Sequence, residues 1–290
     1  MTVTRRLAAA GLTAFGLAGC SPLQLFGAVA GRDGGSEKAA SGLAYGPHPR
    51  QSLDVYRPTA AAGPAPVLVF FYGGSWKSGA KEEYAFVGDA LAARGFLTVI
   101  PDYRLYPEVR FPDFLDDSAA AVRFARDVAG RYGGDPERVV LVGHSAGAYN
   151  AAMLALDGRY FRRAGVPRRV VRAFAGLSGP YSFLPLDPGT AQEVFGAAPN
   201  KPATQPITYA DRGAPPAFLA TGDADTTVRP SNTTALAGRL RAVGTPVVER
   251  LYPGLVHRDT LLALSVTLRG TAPVLAEMTE FLRRSDAEAR

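Results

Sequence analysis

The chain has 290 residues, 47% of them apolar, 20% charged and 10% aromatic, a composition that excludes a disordered, collagen-like or polytopic protein and leaves room for a large buried core. Its formal net charge is +6, but only four of the 32 cations are lysines, and they are spread along the chain among 26 acids, with no arm suited to nucleic acid. A single cysteine excludes an intramolecular disulfide and a paired-thiol redox centre.

In chain order, Arg5 and Arg6 precede an apolar stretch, Leu7 to Ala18, that is too short to cross a bilayer and suits the core of a signal peptide. It ends in Leu17-Ala18-Gly19-Cys20, which resembles the lipobox of bacterial lipoproteins. That resemblance implies removal of residues 1–19, acylation of Cys20 and attachment to a membrane, which two or more acyl chains make stable. Ser21, rather than aspartate, follows the cysteine, and by the sorting rule of such lipoproteins this implies the periplasmic face of the outer membrane. Arg5-Arg6 also resembles a twin-arginine signal, but Leu7-Ala8-Ala9 fits that pattern poorly, so Sec export is preferred. Residues 20–41 are rich in Gly, Ala and Ser without a lasting period and read as a flexible tether. Residues 42–290 are left as the folded domain.

Leu43–Gly46 and Leu53–Tyr56 predict a short hairpin. Val67–Tyr72, Leu97–Ile100, Val139–Val142, Val170–Leu177, Ala217–Thr221 and Val247–Tyr252 predict buried strands, because a parallel sheet covered on both faces needs continuous apolar runs. Helices are predicted over Glu82–Arg94, Pro112–Tyr132, Ala146–Leu156, Ser231–Val243 and Pro273–Arg283. Strand–helix alternation of this kind predicts an α/β fold with a mostly parallel, doubly wound sheet. Residues 178–212, with six prolines and no clean period, predict a lid-like insertion over an active site. An acid-free arginine cluster, Arg159, Arg162, Arg163, Arg168, Arg169 and Arg172, reads as a solvated surface or as a contact for an anionic one.

Gly143-His144-Ser145-Ala146-Gly147 follows the strand Val139–Val142 and opens a helix, the context in which a GxSxG turn projects a nucleophilic serine. A serine hydroxyl needs a base. Of the three histidines, His144 lies inside the turn and His48 between two prolines, which leaves His257, in a loop after the last strand. The acid that orients the imidazole must lie near a strand end between them. Asp223 and Asp225 both stand there, after Ala217–Thr221. Attack on a carbonyl also needs donors for the oxyanion. One is the N–H of Ala146. The others are expected in Tyr72-Gly73-Gly74-Ser75-Trp76, with Gly74 and Ser75 donating and Gly73 shaping the turn. This turn is similar to the HGGG or HGGxW motif of esterases and arylformamidases, with tyrosine in place of histidine. Trp76 is expected to line the substrate cleft, or else to pack in the core.

From about Tyr45 onward the chain resembles the α/β-hydrolases, in particular the hormone-sensitive-lipase-like and bodyguard-feruloyl-esterase-like carboxylesterases. Leu53-Asp54-Val55-Tyr56, the Gly-Gly-Ser-Trp turn, Pro101-Asp102-Tyr103-Arg104-Leu105, the serine turn and Leu177-Ser178-Gly179-Pro180-Tyr181 carry the resemblance. It favours Asp225 over Asp223, through the G-x-x-D-x-x-V pattern of Gly222 to Val228. It implies acyl transfer by Ser145, Asp225 and His257, with no metal or cofactor. An arylformamidase-like amidase is the alternative within this chemistry, and a non-catalytic binding module on the same scaffold the alternative outside it.

Overall fold

The computed structural model describes residues 22 to 289; the expected signal peptide and Cys20 lie outside the described residues. Eight strands form one sheet: β1 (Ser36–Ala44), β2 (Ser52–Pro58), β3 (Ala65–Phe71), β4 (Leu97–Pro101), β5 (Gly134–His144), β6 (Val171–Leu177), β7 (Ala217–Gly222) and β8 (Val247–Tyr252). Their order is β1-β2-β4-β3-β5-β6-β7-β8. β2 runs antiparallel to both of its neighbours, β1 and β4, and β3 to β8 run parallel to one another. The helices are α1 (Pro22–Val29), α2 (Ala85–Ala92), α3 (Asp113–Ala129), α4 (Ala146–Leu156), α5 (Gly158–Ala164), α6 (Thr190–Phe195), α7 (Ser231–Ala242), α8 (Asp259–Leu262) and α9 (Val274–Glu288).

The apolar runs become central strands because helices cover both faces of the sheet; every residue of β3 is buried. Amphipathic α3 starts directly after Pro112, carries Asp113 and Asp116 in its first turn and buries Leu115, Val122, Ala125 and Ala129. Because β3 to β8 are parallel, their carboxyl ends share one edge, where a doubly wound sheet gathers its functional loops.

The expected tether over residues 20–41 is overturned from Pro22 onward. Residues 22–29 form α1, whose Phe26 meets Phe86 edge to face at 5.5 Å. Residues 36–44 form β1, which pairs Leu43 with Leu53 and extends the expected hairpin toward the N-terminus. The fully buried carboxylate of Asp54 accepts hydrogen bonds from Lys38 Nζ (2.7 Å), Ser41 Oγ (3.0 Å) and the Gly42 N–H (2.9 Å). A buried charge needs such partners, and this segment supplies them.

The segment 178–212, expected as a lid-like insertion, is tied by hydrogen bonds to the rest of the domain. Asn232 Oδ1 accepts the N–H groups of Tyr181 and Ser182, Gln205 Oε1 accepts that of Phe183, and Tyr149 donates to the Thr204 carbonyl. Four arginines of the cluster are paired with acids outside it: Arg159 with Asp157, Arg163 with Asp116, Arg168 with Asp211 and Arg169 with Glu137.

Candidate active site

Ser145 stands between the last residue of β5 and the first of α4, with φ 55° and ψ −124°. This strained conformation is stabilised by close packing around it. A Cβ on Gly147 would lie 1.9 Å from the Phe71 carbonyl oxygen, and one on Gly143 would lie 2.2 Å from the Gly147 carbonyl oxygen. Only glycine lets strand and helix approach so closely. The Ser145 N–H donates to the Leu177 carbonyl at 2.9 Å, which ties the turn to β6.

Ser145 Oγ lies 2.9 Å from His257 Nε2, and His257 Nδ1 lies 2.8 Å from Asp225 Oδ2. The Asp225 carboxylate has no exposure, and its Oδ1 accepts the N–H groups of Thr227 and Val228 at 2.9 Å each. Burial by itself raises the Asp225 carboxyl. The His257 hydrogen bond and the two backbone donors outweigh that and hold it below its usual value. Asp223 is exposed and accepts the Gly254 N–H at 2.7 Å, so it braces the loop that leads to His257. His48 is elsewhere, 2.7 Å from Glu108.

His144 contacts the backbone of His257, its Nε2 3.0 Å from the His257 carbonyl oxygen. Burial and then the neighbouring His257 push its imidazole down to about 3, against the pull of that hydrogen bond. It is therefore neutral near pH 7 and donates from Nε2. Sequence reasoning excluded His144 as the base but missed this contact between serine turn and histidine loop.

At the end of β3, Gly74, Ser75 and Trp76 have φ of 120°, 56° and 57°. The turn is closed by the N–H groups of Lys77 and Ser78 on the Gly74 carbonyl, at 3.0 Å each. The N–H groups of Gly74 and Ser75 meet no acceptor among the described residues. Ala146 opens α4, where first-turn N–H groups have no intrahelical partner. Gly73 packs on Ser145: a Cβ there would lie 2.9 Å from Ser145 Cβ.

Tyr72 braces this turn in place of a histidine. Its hydroxyl donates to Asp102 Oδ1 at 2.6 Å and accepts from Arg50 at 2.7 Å, while Arg50 also reaches the Gly79 carbonyl at 2.8 Å. Burial, followed by the Asp102 charge, holds the phenol well above its usual value, so it stays a donor.

Trp76 is not in the cleft. It is buried against Tyr149 and Phe195, edge to face at 5.2 and 4.8 Å, and its Nε1 donates to Asn150 Oδ1 at 3.1 Å. The left-handed backbone at Trp76 turns the ring inward, where it fixes the turn from below.

A cavity of about 640 Å³ opens in front of Ser145 and His257 and is lined by Gly73, Gly74 and Ser75. Its other walls come from α1, from residues 257–268 and from Tyr84, His144 and Thr227, none from 178–212. Pattern reading missed these walls; the i, i+3 spacing of Leu23 and Phe26 was the available signal.

The BD-FAE family profile matches residues 53–240 of this chain. The probable isoprenylcysteine alpha-carbonyl methylesterase ICME of Oryza sativa subsp. japonica is 31% identical over 88% of this chain and 66% of its own length. Carboxylesterase NlhH of Mycobacterium tuberculosis is 32% identical over 78% of this chain and 74% of its own. The chain spans about half to two thirds of the length of the plant relatives it matches. Among solved structures, the tributyrin-phosphonate-inhibited esterase B of Lactobacillus rhamnosis superposes with a TM-score of 0.79 at 19% identity, over 92% of this chain and 91% of its own.

Proposed function

Because the chain belongs to the BD-FAE family, we propose that it is a serine carboxylesterase acting on small or medium acyl esters through Ser145, His257 and Asp225. The observation that carries this reading is the unbroken hydrogen-bond chain from Asp225 through His257 to Ser145, at 2.8 and 2.9 Å, opening into a cavity. Ser145 Oγ attacks the ester carbonyl while His257 Nε2 takes its proton, and Asp225 stabilises the imidazolium. The N–H groups of Gly74, Ser75 and Ala146 receive the oxyanion, each such donor being worth roughly a hundred- to thousandfold in turnover. His257 gives the proton to the leaving alcohol. Water, deprotonated by His257, then releases the acid and restores Ser145. The esterase names of the relatives at about one-third identity support ester over amide substrates.

The chain is further read as a lipoprotein acylated on Cys20 and held at the periplasmic face of the outer membrane, on the support of Leu17-Ala18-Gly19-Cys20 and Ser21. The esterase reading is tested with p-nitrophenyl esters from acetyl to long acyl chains, on wild type and Ser145→Ala. Turnover should peak at short or medium chains and fall by at least about a thousandfold in the variant. Equal turnover by both proteins would remove Ser145 from the mechanism.

A further inference from the structure

The cleft is apolar where it leaves the triad. Leu23 and Phe26 of α1, Tyr84, and Leu261, Leu262 and Leu268 line it beyond Ser145. α1 is fixed there by its C-terminal end: Thr267 donates from Oγ1 to the Val29 carbonyl at 2.7 Å and from its N–H to the Ala30 carbonyl at 3.2 Å.

The same helix carries a second apolar stripe. At about 100° per residue, Leu25 and Val29 lie about 110° around the helix from Leu23 and Phe26. Leu25 is 53% exposed and Val29 66%. Six large apolar residues are exposed among the described residues, and four of them, Leu25, Val29, Val256 and Val266, belong to the segments that form this mouth. Val256 precedes His257, and Val266 packs on Gly31 just beyond α1. Scattered surface apolar residues need no explanation, but a concentration around one opening marks an interaction surface. Arg258, which lines the cavity beside them, and Arg32, which follows α1, are exposed and each faces one acid, Asp259 at 3.9 Å and Asp89 at 3.2 Å. An exposed apolar rim whose charges are balanced suits the interfacial region of a bilayer.

Chain length supplies the orientation. α1 begins at Pro22, two residues after Cys20, and two residues reach at most about 7 Å. An acylated Cys20 therefore places this rim at the bilayer. We propose that the cleft mouth docks on the lipid bilayer and admits esters with an apolar chain directly from it. The proposal rests on the esterase reading and on acylation of Cys20.

The test uses the full acylated protein in vesicles of phosphatidylethanolamine and phosphatidylglycerol, with two substrates: water-soluble p-nitrophenyl acetate and the medium-chain p-nitrophenyl decanoate dissolved in the bilayer. Wild type should turn over both. Leu25→Asp combined with Val29→Asp should keep acetate turnover within about twofold and lose about tenfold or more on the decanoate ester. Unchanged decanoate turnover in this variant overturns the docking, and so does a wild type active on acetate alone. A wild type inactive on acetate as well sinks the esterase reading instead. Palmitate labelling that survives Cys20→Ser overturns the anchor and the orientation derived from it. Should the double variant misfold, a fluorophore on Val29→Cys decides: lipid-borne nitroxides should quench it, and unquenched emission overturns the proposal.

Discussion

Asp223 and Asp225 stand two residues apart and serve different ends. Asp225 has no exposed side-chain surface, holds the imidazole and takes two backbone donors, whereas Asp223 holds only the Gly254 N–H at the surface. Asp225→Asn puts an amide where a carboxylate selects the His257 tautomer, a change worth about ten-thousandfold in kcat in the serine-protease template. Asp223→Asn keeps an acceptor oxygen for Gly254 and should stay within about tenfold of wild type. Steady-state kinetics on p-nitrophenyl acetate separates them, and the reverse ranking would make Asp223 the triad acid. Ser145 and His257 were legible because the serine turn has a local signature and the other two histidines were placed badly for the task. Residue type alone left two acids in one loop, and only the family resemblance favoured Asp225, since which one points inward depends on how β7 ends against the loop after β8. Trp76 was ambiguous for the same reason: whether its ring enters the cleft or the core depends on partners 73 residues and more away, Tyr149 and Phe195.

Among the elements, the central strands and α3, α4, α7 and α9 were readable because each carries its own period and its own punctuation. α1 was not, and β1 was readable only at its end, Leu43 and Ala44. α1 is eight residues long, β1 is rich in Ala and Ser with little alternation, and both depend on distant partners: Phe86, Thr267 and the buried Asp54. A truncation tests the point. A chain starting at Pro22 should fold with near-native stability. A chain starting at Gly42 leaves Asp54 without Lys38 and Ser41, exposes the edge of β2 and should lose about 3–5 kcal/mol or aggregate. Urea unfolding of the two forms decides, and equal midpoints would restore the reading of residues 20–41 as a tether.

For the molecule as a whole, the buried triad region sets a pH dependence of stability. His144 stays neutral in the folded protein down to about 3, while an unfolded histidine takes up its proton near 6.5. Between these values the unfolded chain binds more protons, so stability falls as pH drops, by up to about 1.4 kcal/mol per pH unit. Asp225 acts in the same direction lower down: its depressed carboxyl contributes above about 3.8 and that contribution is lost as pH falls through the folded value. The Tm of wild type should therefore fall from pH 6.5 toward 3 more steeply than that of His144→Asn, and equal slopes would mean that His144 titrates freely. By itself the sequence determined the doubly wound sheet, the serine turn and the glycine-rich turn, because each is written in contiguous residues whose period or backbone requirement is local. Only the tertiary structure decided which aspartate is buried, where Trp76 packs and which segments wall the cleft. Those outcomes depend on contacts between residues as far apart as Val29 and Thr267, and no window of sequence contains both.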